Sequence, residues 1–137
     1  MKDVVILATA LLSFRAVDAQ SIDNGSGVEI GRFDGNVIYD AFGKQIGKVD
    51  GEVIYDGHGS ILGRMDVNRV YDSGWRIIGF VDGDVMYDGS GAVRSRMDGN
   101  RIYDASWRQI GRSDGLSRHQ VVVFMYFFCN LQGSEHK

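Results

Sequence analysis

The sequence predicts an all-β fold, an antiparallel meander of five 16-residue β-hairpin repeats that closes into a radial, barrel-like ring with a short C-terminal apolar helix as its plug. Three observations predict this fold. A Tyr-Asp pair recurs every 16 residues, an Asp-Gly turn signal precedes most copies, and an apolar run follows the last repeat. A fixed period of this kind is the signature of a repeat architecture.

Residues 1–19 are predicted to be a secretory signal peptide. Lys2 supplies the positive start, residues 4–14 form an apolar run too short to span a membrane, and Ala19 is the small residue at the cleavage point. We therefore expect an exported protein, periplasmic or extracellular; the alternative for this segment is a buried N-terminal helix of the domain. The β-hairpin repeat domain, the C-terminal apolar helix and a polar tail follow at residues 20–115, 116–131 and 132–137.

Composition narrows the class of protein. An apolar fraction of 44% and a charged fraction of 24% are typical of a globular domain. The net charge of −3 comes from interspersed acids and bases, so no concentrated basic face is available for nucleic acid. The 19 glycines without proline indicate many tight turns, and with Cys129 as the single cysteine no intramolecular disulfide can form.

Each repeat is predicted to form one hairpin. Asp-Gly between two segments of alternating apolar residues is the strongest short-range hairpin signal. In the first complete repeat the two-residue turn could be either Asp34-Gly35 or Gly35-Asn36. Both registers place Phe33 and Ile38 on one face, because side chains alternate with period two. This face is the predicted core, and its equivalents are Val49/Ile54, Met65/Val70, Val81/Met86 and Met97/Ile102.

The opposite face of each hairpin is predicted to face solvent. It carries Arg32, Val37 and Tyr39 in the first repeat, and a guanidinium group there can stack on the tyrosine ring across the hairpin. The equivalent arginines and tyrosines in later repeats are Arg64, Arg69, Tyr71, Arg96, Arg101 and Tyr103.

The loops between repeats contain the main irregularities. In Asp40-Ala41-Phe42-Gly43 the aspartate is expected to cap backbone amides and the glycine to adopt the left-handed conformation. Trp75 and Trp107 replace this glycine, so we expect their loops to differ. Val67 replaces the glycine of an Asp-Gly turn, and a β-branched residue would be strained at positive φ. That turn is also expected to depart from the others.

The two ends of the repeat array complement each other. Residues 21–24 align with a second strand that has no first strand, and residues 110–114 with a first strand that has no second. Pairing them would close the ring and remove both exposed edges. Residues 121–129 are apolar all round and must be buried on every side. We expect a helix that starts near 114–117 and plugs the ring; the alternative is an interface with another copy.

The repeat resembles that of the five-fold β-flower proteins, small bacterial repeat proteins. The resemblance rests on five copies of I-G-R-x-D-G-x-x-I-Y-D-x-x-G-x-x and on a terminal D-G-L-x-R-x-Q before an aromatic run. It implies a radial arrangement of hairpins in an exported protein, and it implies no activity and no site residues. The chain departs from the pattern at Arg94 and Ser95, which replace Ile-Gly, and at Phe80, which replaces a basic residue.

Few residues are candidates for function. The repeated aspartates suit calcium ligands, but tight turns need the same residues, so we expect turn chemistry and no cofactor or metal. Residues that break the repeat are better candidates than residues that build it. We predict a ligand rim at the loops, for a glycan or a protein, formed by Phe42, His58, Trp75 and Trp107.

These features favour a non-catalytic, exported binding or scaffold module that is a monomer or a small homo-oligomer. The alternative is a structural shell or assembly component resembling YD-type repeats. The sequence contains no Ser/His/Asp or Cys/His arrangement and no phosphate-binding loop, so we expect no enzyme. It also contains no apolar segment long enough for a transmembrane helix.

Overall fold

The structure, a computed structural model, describes residues 20–129. The predicted signal peptide and polar tail lie outside the described residues. Within 20–129 the chain forms twelve short strands and one helix. The bounds are β1 Ser21–Asn24, β2 Glu29–Asp34, β3 Val37–Asp40, β4 Gln45–Asp50, β5 Val53–Asp56, β6 Ile61–Met65, β7 Arg69–Asp72, β8 Ile77–Asp82, β9 Val85–Asp88, β10 Val93–Asp98, β11 Arg101–Asp104, β12 Gln109–Asp114 and α1 Arg118–Phe127.

All twelve strands form one closed antiparallel barrel in which each strand pairs with its sequence neighbours and β1 pairs with β12. Ile22 lies opposite Ser113, and Asp23 lies opposite Arg112. The prediction that the two ends close the ring is confirmed. The barrel therefore contains five uninterrupted hairpins and a sixth strand pair made from the two ends of the repeat array.

The hairpins follow the second of the two predicted registers. Phe33 pairs with Ile38 and Asp34 with Val37, so Gly35 and Asn36 form the turn. Gly35 has a φ of +63°, which a glycine adopts without strain. Both Phe33 and Ile38 are buried, which confirms the predicted core face.

The C-terminal apolar segment is the helix α1, and it fills the barrel. Ser117 caps its N-terminus in a capping box with Gln120, which satisfies two backbone donors at the helix end. All residues from Val121 to Tyr126 are buried, so every side of the helix packs against the wall. The predicted plug is confirmed, although the helix ends at Phe127 and is shorter than the predicted 116–131 segment.

The glycine of the repeated Ile-Gly-Arg motif makes room for this helix. A Cβ atom added at Gly47, Gly63 or Gly79 would overlap an aromatic ring, that of Phe128, Phe127 or Tyr126 in turn, and also a carbonyl oxygen of the neighbouring strand. The glycine of the motif is therefore needed where the wall and the plug approach closely, and it does not mark a turn.

The prediction of different loops at the two tryptophans is wrong. Trp75 and Trp107 adopt φ angles of 67° and 68°, the left-handed conformation of the glycines they replace. The N–H of Trp75 donates to the Asp72 carbonyl at 3.2 Å, just as the N–H of Gly43 donates to the Asp40 carbonyl at 3.1 Å. The loop is kept because each tryptophan ring finds a stacking partner on the barrel wall.

The turn at Val67 departs from the others, as predicted. Val67 has no positive φ, and β6 ends at Met65, one residue earlier than the equivalent strands. The Asp66 carboxylate instead accepts hydrogen bonds from the Arg69 N–H at 2.9 Å and from the Tyr71 hydroxyl at 3.1 Å. Side-chain hydrogen bonds thus replace the positive-φ residue.

The departures at Arg94 and Ser95 have a structural role. β10 pairs with both of its neighbours. Arg94 donates a hydrogen bond to the Met125 carbonyl at 2.7 Å, and its guanidinium carbon lies 4.7 Å from the centroid of the Tyr126 ring. Arg94 therefore binds the C-terminal end of α1, where helix carbonyls lack partners within the helix.

Candidate functional site

The four predicted rim residues lie at one end of the barrel, in four different loops. Phe42 and His58 occupy loop tips after β3 and β5, and Trp75 and Trp107 follow β7 and β11. All four are exposed. Each tryptophan ring packs on side chains of its own hairpin.

Trp75 is the outer layer of a stack on the barrel wall. Its ring meets the Tyr71 ring edge-on, with centroids 5.4 Å apart, and the guanidinium carbon of Arg64 lies 4.4 Å from the Trp75 centroid. Arg64 also donates to the Ser73 carbonyl at 3.3 Å. The tryptophan nevertheless remains 61% exposed, so much of its ring is open to solvent.

Trp107 forms the same stack two hairpins further on. Its ring lies 5.5 Å from that of Tyr103, and the guanidinium carbon of Arg96 lies 4.7 Å from the Trp107 centroid. Trp107 is 59% exposed, while the Nε atom of Arg96 is buried without a hydrogen-bond partner in the described residues. Arg64 and Arg96 lie directly opposite Tyr71 and Tyr103, as predicted, and each guanidinium lies over the neighbouring tryptophan ring. The ammonium of Lys48 does lie over Tyr55, at 5.8 Å.

The hairpin between the two tryptophan stacks is aromatic as well. Phe80 occupies the position of Arg64 and Arg96, and its ring stacks on Tyr87 with centroids 4.6 Å apart and an interplanar angle of 13°. Three consecutive hairpins, β6 to β11, therefore carry aromatic stacks on the outer wall.

The repeat provides an internal comparison for this surface. The strands β2, β4, β6, β8, β10 and β12 each begin with an outward-facing residue. This residue is polar in three of them, at Glu29, Gln45 and Gln109. Ile61, Ile77 and Val93 occupy the same position in the third to fifth hairpins, so this position is apolar in the hairpins that carry the aromatic stacks. We call this surface the aromatic wall, and its residues are Arg64, Tyr71, Trp75, Ile77, Phe80, Tyr87, Arg96, Tyr103 and Trp107.

Sequence reasoning identified the two tryptophans and placed the arginines and tyrosines of this surface on the outward face, but it did not join them with Phe80 and Ile77 into one surface. Phe80 was visible only as a departure from the repeat, and Ile77 was not singled out. The signal that finds both is a comparison of equivalent outward positions across the repeats. Alternation places Phe80 on the outward face in either register, whereas Ile77 is placed there by the register shift between Val70 and Tyr71, which sets it opposite Tyr71.

The repeated aspartates of the loops cap backbone amides. The Asp72 carboxylate accepts hydrogen bonds from the N–H groups of Gly74 and Arg76, both at 2.9 Å. Both bonds lower the pKa of Asp72, because they stabilise the ionised carboxylate. The bond from Arg76 has the larger effect. Within residues 20–129, no group of three or more His, Cys, Asp or Glu side chains is arranged to hold a metal ion.

The fold and its surface define a closed ring of β-hairpin repeats around a helical plug. A family model described as 5-fold beta-flower protein matches residues 17–129, and the chain belongs to this family. No curated protein and no solved structure matches the chain. Across the described residues, no helix has both the length and the apolar character needed to cross a membrane.

Proposed function

We propose that this protein is a non-catalytic, exported binding module whose ligand stacks on the aromatic wall. One observation carries the proposal. In three consecutive hairpins the outward-facing residues depart from the repeat, although the packing of the core does not require these departures. Non-glycine residues at positive φ are strained, and such residues cluster at ligand-binding sites. Trp75 and Trp107 both adopt this conformation, and both rings remain more than half exposed.

The proposed ligand is a glycan chain. Sugar rings have apolar C–H faces that can stack on exposed aromatic rings without a deep pocket. Four strand spacings separate the loops of Trp75 and Trp107, which is about 19 Å along the wall. An extended ligand could contact both rings and the Phe80–Tyr87 stack between them. A peptide that adds a strand to a sheet is less suitable, since the closed barrel leaves no free strand edge.

The test is a binding screen with soluble polysaccharides and peptidoglycan fragments, followed by titration of each binder. Trp75→Ala and Trp107→Ala are each expected to weaken binding by about tenfold, which corresponds to about 1.4 kcal/mol. Phe42→Ala is the matched control, because it removes an exposed loop aromatic outside the aromatic wall. Equal affinity of the tryptophan variants and the parent would overturn the proposal, as would a screen in which no glycan binds.

The oligomeric state tests the alternative role as a structural shell component. A binding module is expected to give one mass, that of a monomer or a small oligomer, in light scattering at all concentrations. Assemblies that grow with concentration would favour the shell role. Loss of such assemblies in the Trp75→Ala variant would assign the aromatic wall to contacts between copies and overturn the glycan proposal.

A further inference from the structure

The two ends of the barrel are sealed to different degrees. At the end formed by the hairpin turns, which we call the turn rim, two cavities open between α1 and the wall. Their volumes are about 250 and 160 Å³, and His119 lines both. The turn rim lies opposite the loop end that carries Trp75 and Trp107, so these cavities are separate from the aromatic wall.

The space arises from the sequence of one core layer. Around the ring, the layer nearest the turn rim alternates large and small side chains: Phe33, Val49, Met65, Val81, Met97 and Ser113. Val49 and Val81 are only half-buried, and each lines one of the cavities. On the helix side, Val123 lines the smaller cavity and Val122 the larger. Small side chains therefore lie on both sides of each cavity.

The next core layer contains no such gap. Its members are Ile22, Ile38, Ile54, Val70, Met86 and Ile102, and each is at most 1% exposed. Both cavities lie at the end of the barrel, above this layer, and open to solvent. Two open cavities above a fully packed layer therefore indicate space for a ligand.

The linings define what these cavities could hold. The smaller cavity has an apolar floor of Phe33, Val49 and Val123, with Asn36, His119 and Gln120 beside it. The larger has Met65, Val81 and Val122, with Arg118 and His119 beside it. An apolar cavity of about 150 Å³ is large enough to bind benzene. Each site thus combines room for a group of about six carbons with polar side chains.

We propose that the turn rim binds the apolar end of a small amphiphile, an alkyl or aryl group of about six carbons, with its polar head beside His119. This inference is independent of the glycan proposal, since none of its residues belongs to the aromatic wall. Both cavities are open to solvent beside the exposed His119, so the ligand can enter without unfolding the barrel.

Hexan-1-ol is the probe, titrated into the protein while valine methyl groups are observed by NMR. Saturable shifts are expected at Val49, Val81, Val122 and Val123. The double variant Val49→Phe, Val81→Phe fills both cavities and is expected to weaken hexanol binding by at least about tenfold. Val53→Phe is the control, since Val53 lies on the outer wall of β5 and lines neither cavity.

Two results would overturn this inference: no saturable shift at these four valines in the parent, or shifts at Val122 and Val123 that persist in a folded double variant. If the phenylalanine variant does not fold, Val49→Leu with Val81→Leu reduces the cavities more gently and is expected to weaken binding in the same direction. A glycan titration of the folded variant, expected to match the parent, separates this site from the aromatic wall.

Discussion

Trp75 and Trp107 occupy a backbone conformation that glycines adopt at the four equivalent loop positions, Gly27, Gly43, Gly59 and Gly91. A side chain at this φ is strained by about 1 kcal/mol or more. Each tryptophan offsets that strain through its stack on arginine and tyrosine, where a cation–π contact and an aromatic pair contribute about 0.5–1.5 kcal/mol each. The same ring is then available to a ligand.

Replacing Trp75 with two different small residues separates strain from stacking. Trp75→Ala keeps the strained φ and loses the stack, so it is expected to lower the free energy of unfolding by about 1–2 kcal/mol. Trp75→Gly loses the same stack but relieves the strain, so it should be more stable than the alanine variant by about 1 kcal/mol. Urea denaturation measures both. Equal stabilities would show that positive φ carries no strain here.

The loop aspartates make stability depend on pH. Hydrogen bonds from backbone N–H groups lower the pKa of Asp56 and Asp72, and the Ser90 side chain and amides lower that of Asp88. A carboxyl with a lower pKa in the folded state stabilises the protein above its ordinary pKa, near 3.8. This stabilisation is lost as the pH falls through the folded-state pKa.

Asparagine should keep the cap and remove its pH dependence. Asn24 already occupies the equivalent position, and its side-chain oxygen accepts from the N–H groups of Ser26 and Val28 at 2.8 and 3.1 Å. The triple variant Asp56→Asn, Asp72→Asn, Asp88→Asn is therefore expected to lose less stability than the parent when acidified below about pH 4. Denaturation midpoints at several pH values test this, and parallel curves for the two proteins would contradict it.

At the scale of elements, α1 is fixed in one orientation inside a ring of near-identical hairpins. The Tyr126 hydroxyl donates to the Tyr87 carbonyl, and Arg118 forms an ion pair with Asp84 at 2.8 Å. Burial raises the pKa of Tyr126 to about 12, so its hydroxyl remains a donor. With the Arg94 bond to Met125, these contacts all lie on β9, β10 and the turn before β9. Irregularities in the repeat thus give the symmetric barrel one preferred position for its plug.

Restoring the repeat pattern at Arg94 is expected to destabilise the protein. Arg94→Ile matches the residue type of most equivalent positions, but it removes a charged hydrogen bond to a helix carbonyl. The expected loss is about 1–3 kcal/mol of unfolding free energy. Arg32→Ile, at an exposed outer position, is the control and should change stability by about 0.5 kcal/mol or less. A neutral or stabilising Arg94→Ile would show that the helix end needs no such partner.

Positions that follow the repeat could be predicted from sequence, and those that break it only in part. The face shared by Phe33 and Ile38 follows from alternation alone, and the closure from the alignment of two half-repeats. The conformation of Trp75 could not be predicted, because it depends on a stack with Arg64 across the hairpin. Arg94 looked like a defect, because its partner, the Met125 carbonyl, is 31 residues away in sequence. A contact made by a single irregular residue, such as that of Arg94 with the helix end, leaves no periodic signal.

At the scale of the molecule, one strand pair joins the two ends of the repeat array. Asp23 lies opposite Arg112 on the outer face, and both belong to strands that would otherwise be edges. Without this pair, β1 and β12 would expose unpaired backbone groups, which promote association between chains.

A disulfide across this pair tests the closure. In a Cys129→Ser background, Asp23→Cys with Arg112→Cys is expected to form an intramolecular disulfide that encloses about 90 residues and stabilises the fold by up to about 4 kcal/mol. Non-reducing electrophoresis and thermal unfolding measure this. Asp23→Cys with Ser113→Cys is the control, since neighbouring residues point to opposite faces and this pair should not crosslink. Disulfide-linked dimers would indicate that the ring closes between chains.

The fit between plug and wall also bears on how such a chain can evolve. Tandem repeats are readily gained and lost by duplication and deletion, yet the interior here is filled by a single helix of fixed width. Removing one 16-residue unit would leave ten strands around the same helix, and adding one would leave it loose. The number of repeats is therefore matched to the diameter of α1. A change in the number of repeats must be accompanied by a change in the C-terminal helix.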